Sequence, residues 1–189
     1  GFRTEAHRNL FESLALPSAP HVLDVGANRG TFIDAALEFW PDAQITAVEP
    51  DERVTRGYEC RPHVILNRRR IEECRFQPGS FDLIYSSHTL EHLANPLSVL
   101  KQHRAHLRPR GRLLLEVPDI AIIGSADIVE EWFIDKHLTH FSGATLVAML
   151  DAAGFSIVRG PIASGREHLT VIATPNPVPA AVTAPNPAE

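Results

Sequence analysis

Two acids and a set of glycines carry the first chemical signal in this chain. In His21-Val22-Leu23-Asp24-Val25-Gly26-Ala27-Asn28-Arg29-Gly30 a short apolar run carries Asp24 near its end, and a glycine turn leads into a helical pattern from Thr31. A second apolar run, Gln44 to Val48, ends on Glu49, nineteen residues after Gly30. Strand, glycine turn, helix, strand and terminal acid are the parts of a βαβ unit that holds a nucleoside. Glycine lets the backbone approach a ligand with no Cβ between them. A carboxylate at the tip of the second strand can accept a hydrogen bond from each hydroxyl of a ribose.

Two further groups offer proton-transfer chemistry. Ser86, Ser87 and His88 end the apolar run that begins at Phe81, with Glu91-His92 just beyond. The pair Glu91-His92 reads as helix-start packing rather than as catalytic. The stretch from Glu130 to Ser142 gathers carboxylates, aromatics and the histidines His137 and His140 ahead of a new helix. Either histidine could remove a proton from an acceptor, or both could cap and brace the helix that follows. His88/His92 and His137/His140 could meet in three dimensions. No cysteine pair or His-Glu-x-x-His spacing accompanies them, so no metal site is predicted.

The elements that must position these residues are readable from periodicity. Phe2, Ala6, Leu10 and Leu14 recur every four residues and predict a helix within residues 1–20 that packs on the core. Strands are predicted at His21–Val25, Gln44–Glu49, His63–Leu66, Phe81–Ser86, Arg112–Val117, Phe155–Arg159 and His168–Ala173. Helices are predicted at 31–40, 52–58, 96–107 and, capped by Ser142, up to Ala153. A short turn covers Ile71–Arg75, and Pro109-Arg110-Gly111 is read as a break. Alternating strands and helices imply a doubly wound α/β sandwich with its ligand at the carboxyl ends of the strands. The last two strands lack an intervening helix and predict a hairpin at the sheet edge. Residues 21–174 form the domain. Residues 175–189, rich in proline and alanine, read as an extended tail or linker.

Composition bounds the function. The chain has 189 residues with 44% hydrophobic, 22% charged and a formal net charge of −5, which gives no general attraction to nucleic acid or to an anionic membrane. No apolar run reaches the roughly 20 residues that span a bilayer, and no signal-peptide pattern precedes the first element. Cys60 and Cys74 read as reduced thiols in a cytoplasmic protein. Oligomeric state is not readable.

From Val22 to Ala173 the chain resembles the class I S-adenosyl-methionine-dependent methyltransferases of small-molecule type. Val22 to Gly30 is similar to that family's first motif and Ala47-Val48-Glu49-Pro50 to its second. Gly79 to Leu93 resembles its fourth-strand motif, and Leu107 to Pro118 its fifth-strand motif. The resemblance implies a Rossmann-like seven-stranded sheet, mostly parallel with an antiparallel last strand. It implies S-adenosyl-L-methionine as cofactor. Asp24, Gly26, Asn28 and Gly30 would hold the methionine end, Glu49 the ribose, Pro50 with Asp51, Ile71 and Glu72 the adenine, and Ser86 and Ser87 the methionine moiety. His88 and Trp132 would line the site of a small-molecule acceptor, with His137 or His140 as general base. Asn28 stands where the family's middle glycine is common, and asparagine tolerates left-handed backbone better than most residues. Arg70 stands where related sequences often carry an adenine-binding aspartate. Two alternatives keep the same βαβ logic: a non-catalytic cofactor-binding scaffold, and an NAD-dependent oxidoreductase.

Overall fold

The computed structural model describes residues 5–122, 136–164 and 168–177. Strands β1 (His21–Val25), β2 (Gln44–Val48), β3 (Val64–Asn67), β4 (Phe81–Ser87), β5 (Leu107–Pro118), β6 (Phe155–Ser164) and β7 (His168–Pro175) form one seven-stranded sheet, ordered β3-β2-β1-β4-β5-β7-β6. The first five strands pair in parallel, and β7 runs antiparallel to both β5 and β6. The hairpin expected at the sheet edge is β6–β7. The strand order reverses between β1 and β4, which is where doubly wound sheets open a crevice for ligands.

Both faces of the sheet are covered, so its central strands are apolar almost throughout. Val22, Leu83, Leu114 and Ile172 pack with Phe11 of helix α1 (Glu5–Ser13) and with Phe32, Ile33 and Ala36 of α2 (Thr31–Phe39). Leu23, Ile84, Leu113, Leu115 and Val171 pack with Val99 and Leu100 of α3 (Pro96–His106) and with Leu146 and Leu150 of α4 (Gly143–Ala152). Alternate residues of one strand thus serve opposite layers, the period-2 rule applied to a buried sheet.

Helix ends follow local chemistry. Asn95 accepts from the Ser98 amide at 3.0 Å, with Pro96 opening α3. Ser142 and Thr145 form a reciprocal capping box at the start of α4, with the Ser142 amide 2.9 Å from Thr145 Oγ1. Its loss would cost about 1 kcal/mol.

Three expectations are corrected. The helix predicted over 52–58 does not form; turns lead instead to a single 3₁₀ turn, Tyr58–Cys60. Asp51 accepts from the Arg53 amide at 2.9 Å, and this side-chain-to-backbone bond competes with a helical start. Gly57 then turns left-handed at φ 90°. Pro109-Arg110-Gly111 does not break the chain into loop, because Leu107 pairs with Phe81 across a register shift and β5 runs straight from the end of α3. β6 continues past Gly160-Pro161 to Ser164 through further register shifts, which an edge strand tolerates. Phe2, Glu130, Glu131, Trp132, Asp135 and the tail beyond 177 lie outside the described residues.

Candidate functional site

The glycine turn after β1 is built on left-handed backbone, with Gly26, Asn28 and Gly30 at φ 77°, 47° and 81°. Asn28 therefore does what the turn needs of it. The amides of Gly26 and Ala27 both donate to the Val48 carbonyl, at 2.9 and 3.2 Å, and tie the turn to the end of β2. A Cβ on Gly26 would collide with Thr89 Oγ1. That hydroxyl sits between the carbonyls of Ser87 and Val25, at 3.1 and 3.3 Å.

The segment that failed to become a helix braces the same turn from the other side. The Tyr58 hydroxyl lies 2.8 Å from the Asn28 carbonyl and 3.1 Å from that of Ala27. Burial, reinforced by the nearby Asp24 carboxyl, pushes the Tyr58 phenol well above its ordinary pKa. Arg61 pairs with Asp34 at 2.8 Å, donates to the Arg29 carbonyl at 3.1 Å and lies over the Tyr58 ring.

Glu49 is held by backbone. Its Oε2 accepts from the Asn28 amide and its Oε1 from the Asp51 amide, each at 2.9 Å. A carboxylate oxygen has a second lone-pair direction, so both oxygens can still receive a diol. Asp24 lies beneath the turn, buried, with Oδ2 lacking a hydrogen-bond partner among the described residues. Burial first, then the charge of Glu49, pushes its carboxyl up to about 8. The Asp51 carboxylate is exposed and engaged by Arg53 at 2.7 Å, which lowers its pKa to about 2.

These residues border a cavity of about 660 Å³ at the carboxyl ends of β1, β2 and β4, within the size range of small-molecule sites. Of the predicted residues, Gly26, Glu49, Pro50, Asp51, Ile71 and Glu72 are on its wall. Asp24, Asn28 and Gly30 support that wall from within the turn. Ser86 is buried in the sheet, paired with Val25 and Leu115. Thr89, rather than Ser86 or Ser87, forms the wall at the end of β4. Arg70, His92, Leu93, Lys136 and Leu138 complete it. Thr89 escaped the sequence reading because only a tertiary contact places it against Gly26. A second hollow of about 360 Å³, lined by Leu16, Asp82 and Arg108 among others, sits at the amino end of β4, away from this chemistry.

The other predicted site residues gather beyond His92. Glu91 is buried, and its backbone carbonyl accepts from the amides of Leu138 and Thr139 at 2.8 and 3.1 Å. That pairing fastens the segment after β5 to the 3₁₀ turn Leu90–His92 after β4. His88, half-exposed and at φ 47°, has Nδ1 3.6 Å from Glu91 Oε1, and this carboxylate holds the imidazole above its ordinary pKa. The rings of His137 and His140 are 6.3 Å apart, in a tight niche with Glu91, Pro118, Ile120 and Phe141. Neither ring is on the wall of the large cavity, where Lys136, Leu138 and His92 stand instead. The cap of α4 is supplied by Ser142 and Thr145.

A family described as a methyltransferase domain matches residues 2–159. A ubiquinone biosynthesis O-methyltransferase of Xanthomonas campestris pv. campestris is 34% identical over 108 residues, covering 54% of this chain and 44% of that protein. The chain spans less than half the length of the curated relatives matched first. Among solved structures, a putative methyltransferase of Haloferax volcanii in complex with the Trm112 activator superposes with a TM-score of 0.75 at 14% identity, over 89% of each chain. A putative S-adenosylmethionine-dependent methyltransferase of Listeria monocytogenes superposes with a TM-score of 0.70 at 17% identity, over 90% of this chain and 96% of that one. With the family match covering most of its length, and with the sheet order and switch-point cavity already described, the chain belongs to the S-adenosyl-methionine-dependent methyltransferases of class I fold.

Proposed function

We propose that this chain transfers the methyl group of S-adenosyl-methionine to a small-molecule acceptor, at oxygen or carbon. The observation that carries the reading is Glu49, fixed by the Asn28 and Asp51 amides at the edge of the switch-point cavity. Its spare lone pairs suit a ribose diol. Ile71 supplies an apolar contact for adenine, Glu72 an acceptor for the adenine amino group, and Pro50 and Asp51 flank it. The left-handed turn from Gly26 to Gly30 takes the methionine end. The unpartnered Asp24 oxygen beneath it suits the positive charge of an ammonium. The bound cofactor brings an already activated methyl group, so the protein's part is alignment and water exclusion. The net negative charge favours a small acceptor over nucleic acid. The ubiquinone-biosynthesis relative points the same way.

For the acceptor proton we assign His137 or His140, with His88 and Trp132 on the acceptor side. Labelled-methyl assays over hydroxylated and carbon-acid small molecules, with bulk tRNA as a parallel arm, test the substrate class. Product with small molecules and none with tRNA is the expected outcome, and the reverse would overturn the small-molecule reading. His137→Ala and His140→Ala should each lower turnover more than they lower affinity for S-adenosyl-homocysteine. Full turnover in both would remove them as base.

A further inference from the structure

Glu91 and His92 follow β4, while His137 arrives from the segment after β5. The three residues nevertheless bring one side-chain donor atom each to within 4.8 Å of the other two. Two features prepare them for a cation. His92 Nδ1 lies 2.8 Å from the Lys136 carbonyl, which can only accept, so Nδ1 carries a proton and Nε2 is the nitrogen whose lone pair the neutral ring offers. Metal-binding histidines are oriented in this way, by a hydrogen bond from the other ring nitrogen to a carbonyl or carboxylate. That free nitrogen is 3.7 Å from Glu91 Oε1. The Glu91 carboxylate is 1% exposed, and among the described residues neither of its oxygens has a hydrogen bond, while the imidazoles of His88 and His92 stand 3.6 and 3.7 Å from Oε1. An ionised carboxylate in that position is costly unless a cation meets it.

We propose that Glu91, His92 and His137 form a binding site for a divalent transition-metal ion of the zinc class, beside the cofactor cavity. Two imidazole nitrogens and one carboxylate oxygen are the donor set of open zinc sites, which leave a position for water or a substrate oxygen. Donors about 2.0–2.2 Å from one tetrahedral ion stand roughly 3.3 Å from each other. Glu91 and His92 are already near that separation, and the His137 donor lies within 4.8 Å of both. His92 is also part of the cavity wall. Where the methyl-transfer reading holds, the open position suits an acceptor that offers an oxygen, and His140 rather than the metal-bound His137 is left as the base; the metal site itself does not depend on that reading.

The test is titration of the metal-stripped full chain with Co²⁺, followed by the visible bands of low-coordinate cobalt, and with Zn²⁺ by calorimetry. One equivalent should bind at micromolar concentration or tighter. Glu91→Gln, His92→Ala and His137→Ala should each weaken binding by about a hundredfold or more, at the upper end of the loss from removing an outer-shell partner. His63→Ala, at an exposed histidine far from the cluster, should change nothing. Absence of stoichiometric binding, or binding that survives all three substitutions, would overturn the site and leave Glu91 as the centre of a histidine ion pair. S-adenosyl-homocysteine binding is measured on the same samples. Its presence without metal binding removes the metal site alone, and metal binding without it removes the cofactor reading alone.

Discussion

The two walls of the cavity are held by different means. On the β1–β2 wall, backbone does the positioning: the amides of Gly26, Ala27, Asn28 and Asp51 fix the turn and the Glu49 carboxylate. On the β4 side, Thr89, His92, Lys136 and Leu138 form the wall, and the His92 side chain meets two ionisable groups that lie off it, Glu91 and, from the segment after β5, His137. A wall set by backbone tolerates change at most side chains and fails at its left-handed positions. Contacts made by ionisable side chains can be retuned residue by residue.

Substitution at the backbone wall should have the largest effect. Gly26→Ala forces a side chain into left-handed backbone and against Thr89. It should lower stability by about 1–3 kcal/mol in urea unfolding, and Thr89→Ala in the same chain should restore part of the loss. An unchanged midpoint would mean that the turn relaxes freely. Next, Glu49→Ala should weaken S-adenosyl-homocysteine by at least about tenfold, on the order of 1.4 kcal/mol.

Two buried groups give pH slopes of opposite sign. Asp24 holds its proton up to about pH 8 in the fold, against 3.8 in an ordinary carboxyl. The stability it contributes is full below about pH 4 and is lost as pH rises through 8, at up to about 1.4 kcal/mol per unit. His103, in α3, is buried and has its pKa lowered to about 3, by burial first and by His106 second. Its contribution is present above the ordinary value of 6.5 and is lost as pH falls toward 3. In Asp24→Asn the first slope should vanish, leaving stability that rises with pH up to about 6.5. Urea titrations across that range check it, and an unchanged profile would discard Asp24 as the group responsible. The smallest effect belongs to the outer brace. Arg61→Ala removes a partly exposed pair with Asp34 and should cost only about 0.2–1 kcal/mol.

The same contrast explains what was legible in the sequence. The sheet, the four α-helices among the described residues and Glu49 followed from apolar periodicity, glycine placement and a spacing of nineteen residues, all of which are local. Asn28 was legible as a tolerant left-handed residue. The segment at 52–58 misled because its helix-like composition is overruled by the Asp51–Arg53 turn and by the reach of Tyr58 to the glycine loop. Thr89 was hidden for a different reason, and the meeting of His92 with His137 was raised but Glu91 not joined to it: both depend on the parallel pairing of β4 with β1 and β5. Ser86 stands at the predicted strand end with its side chain buried.

The central claim is that Glu49 binds the ribose of S-adenosyl-methionine, beside the left-handed turn that takes the methionine end. Calorimetric titration of S-adenosyl-homocysteine into the wild-type chain and Glu49→Ala tests it most directly. The account predicts saturable binding to the wild type at one site, weakened at least about tenfold, or about 1.4 kcal/mol, by the substitution. No heat of binding to the wild type at millimolar ligand, or equal affinity in the two chains, would contradict it.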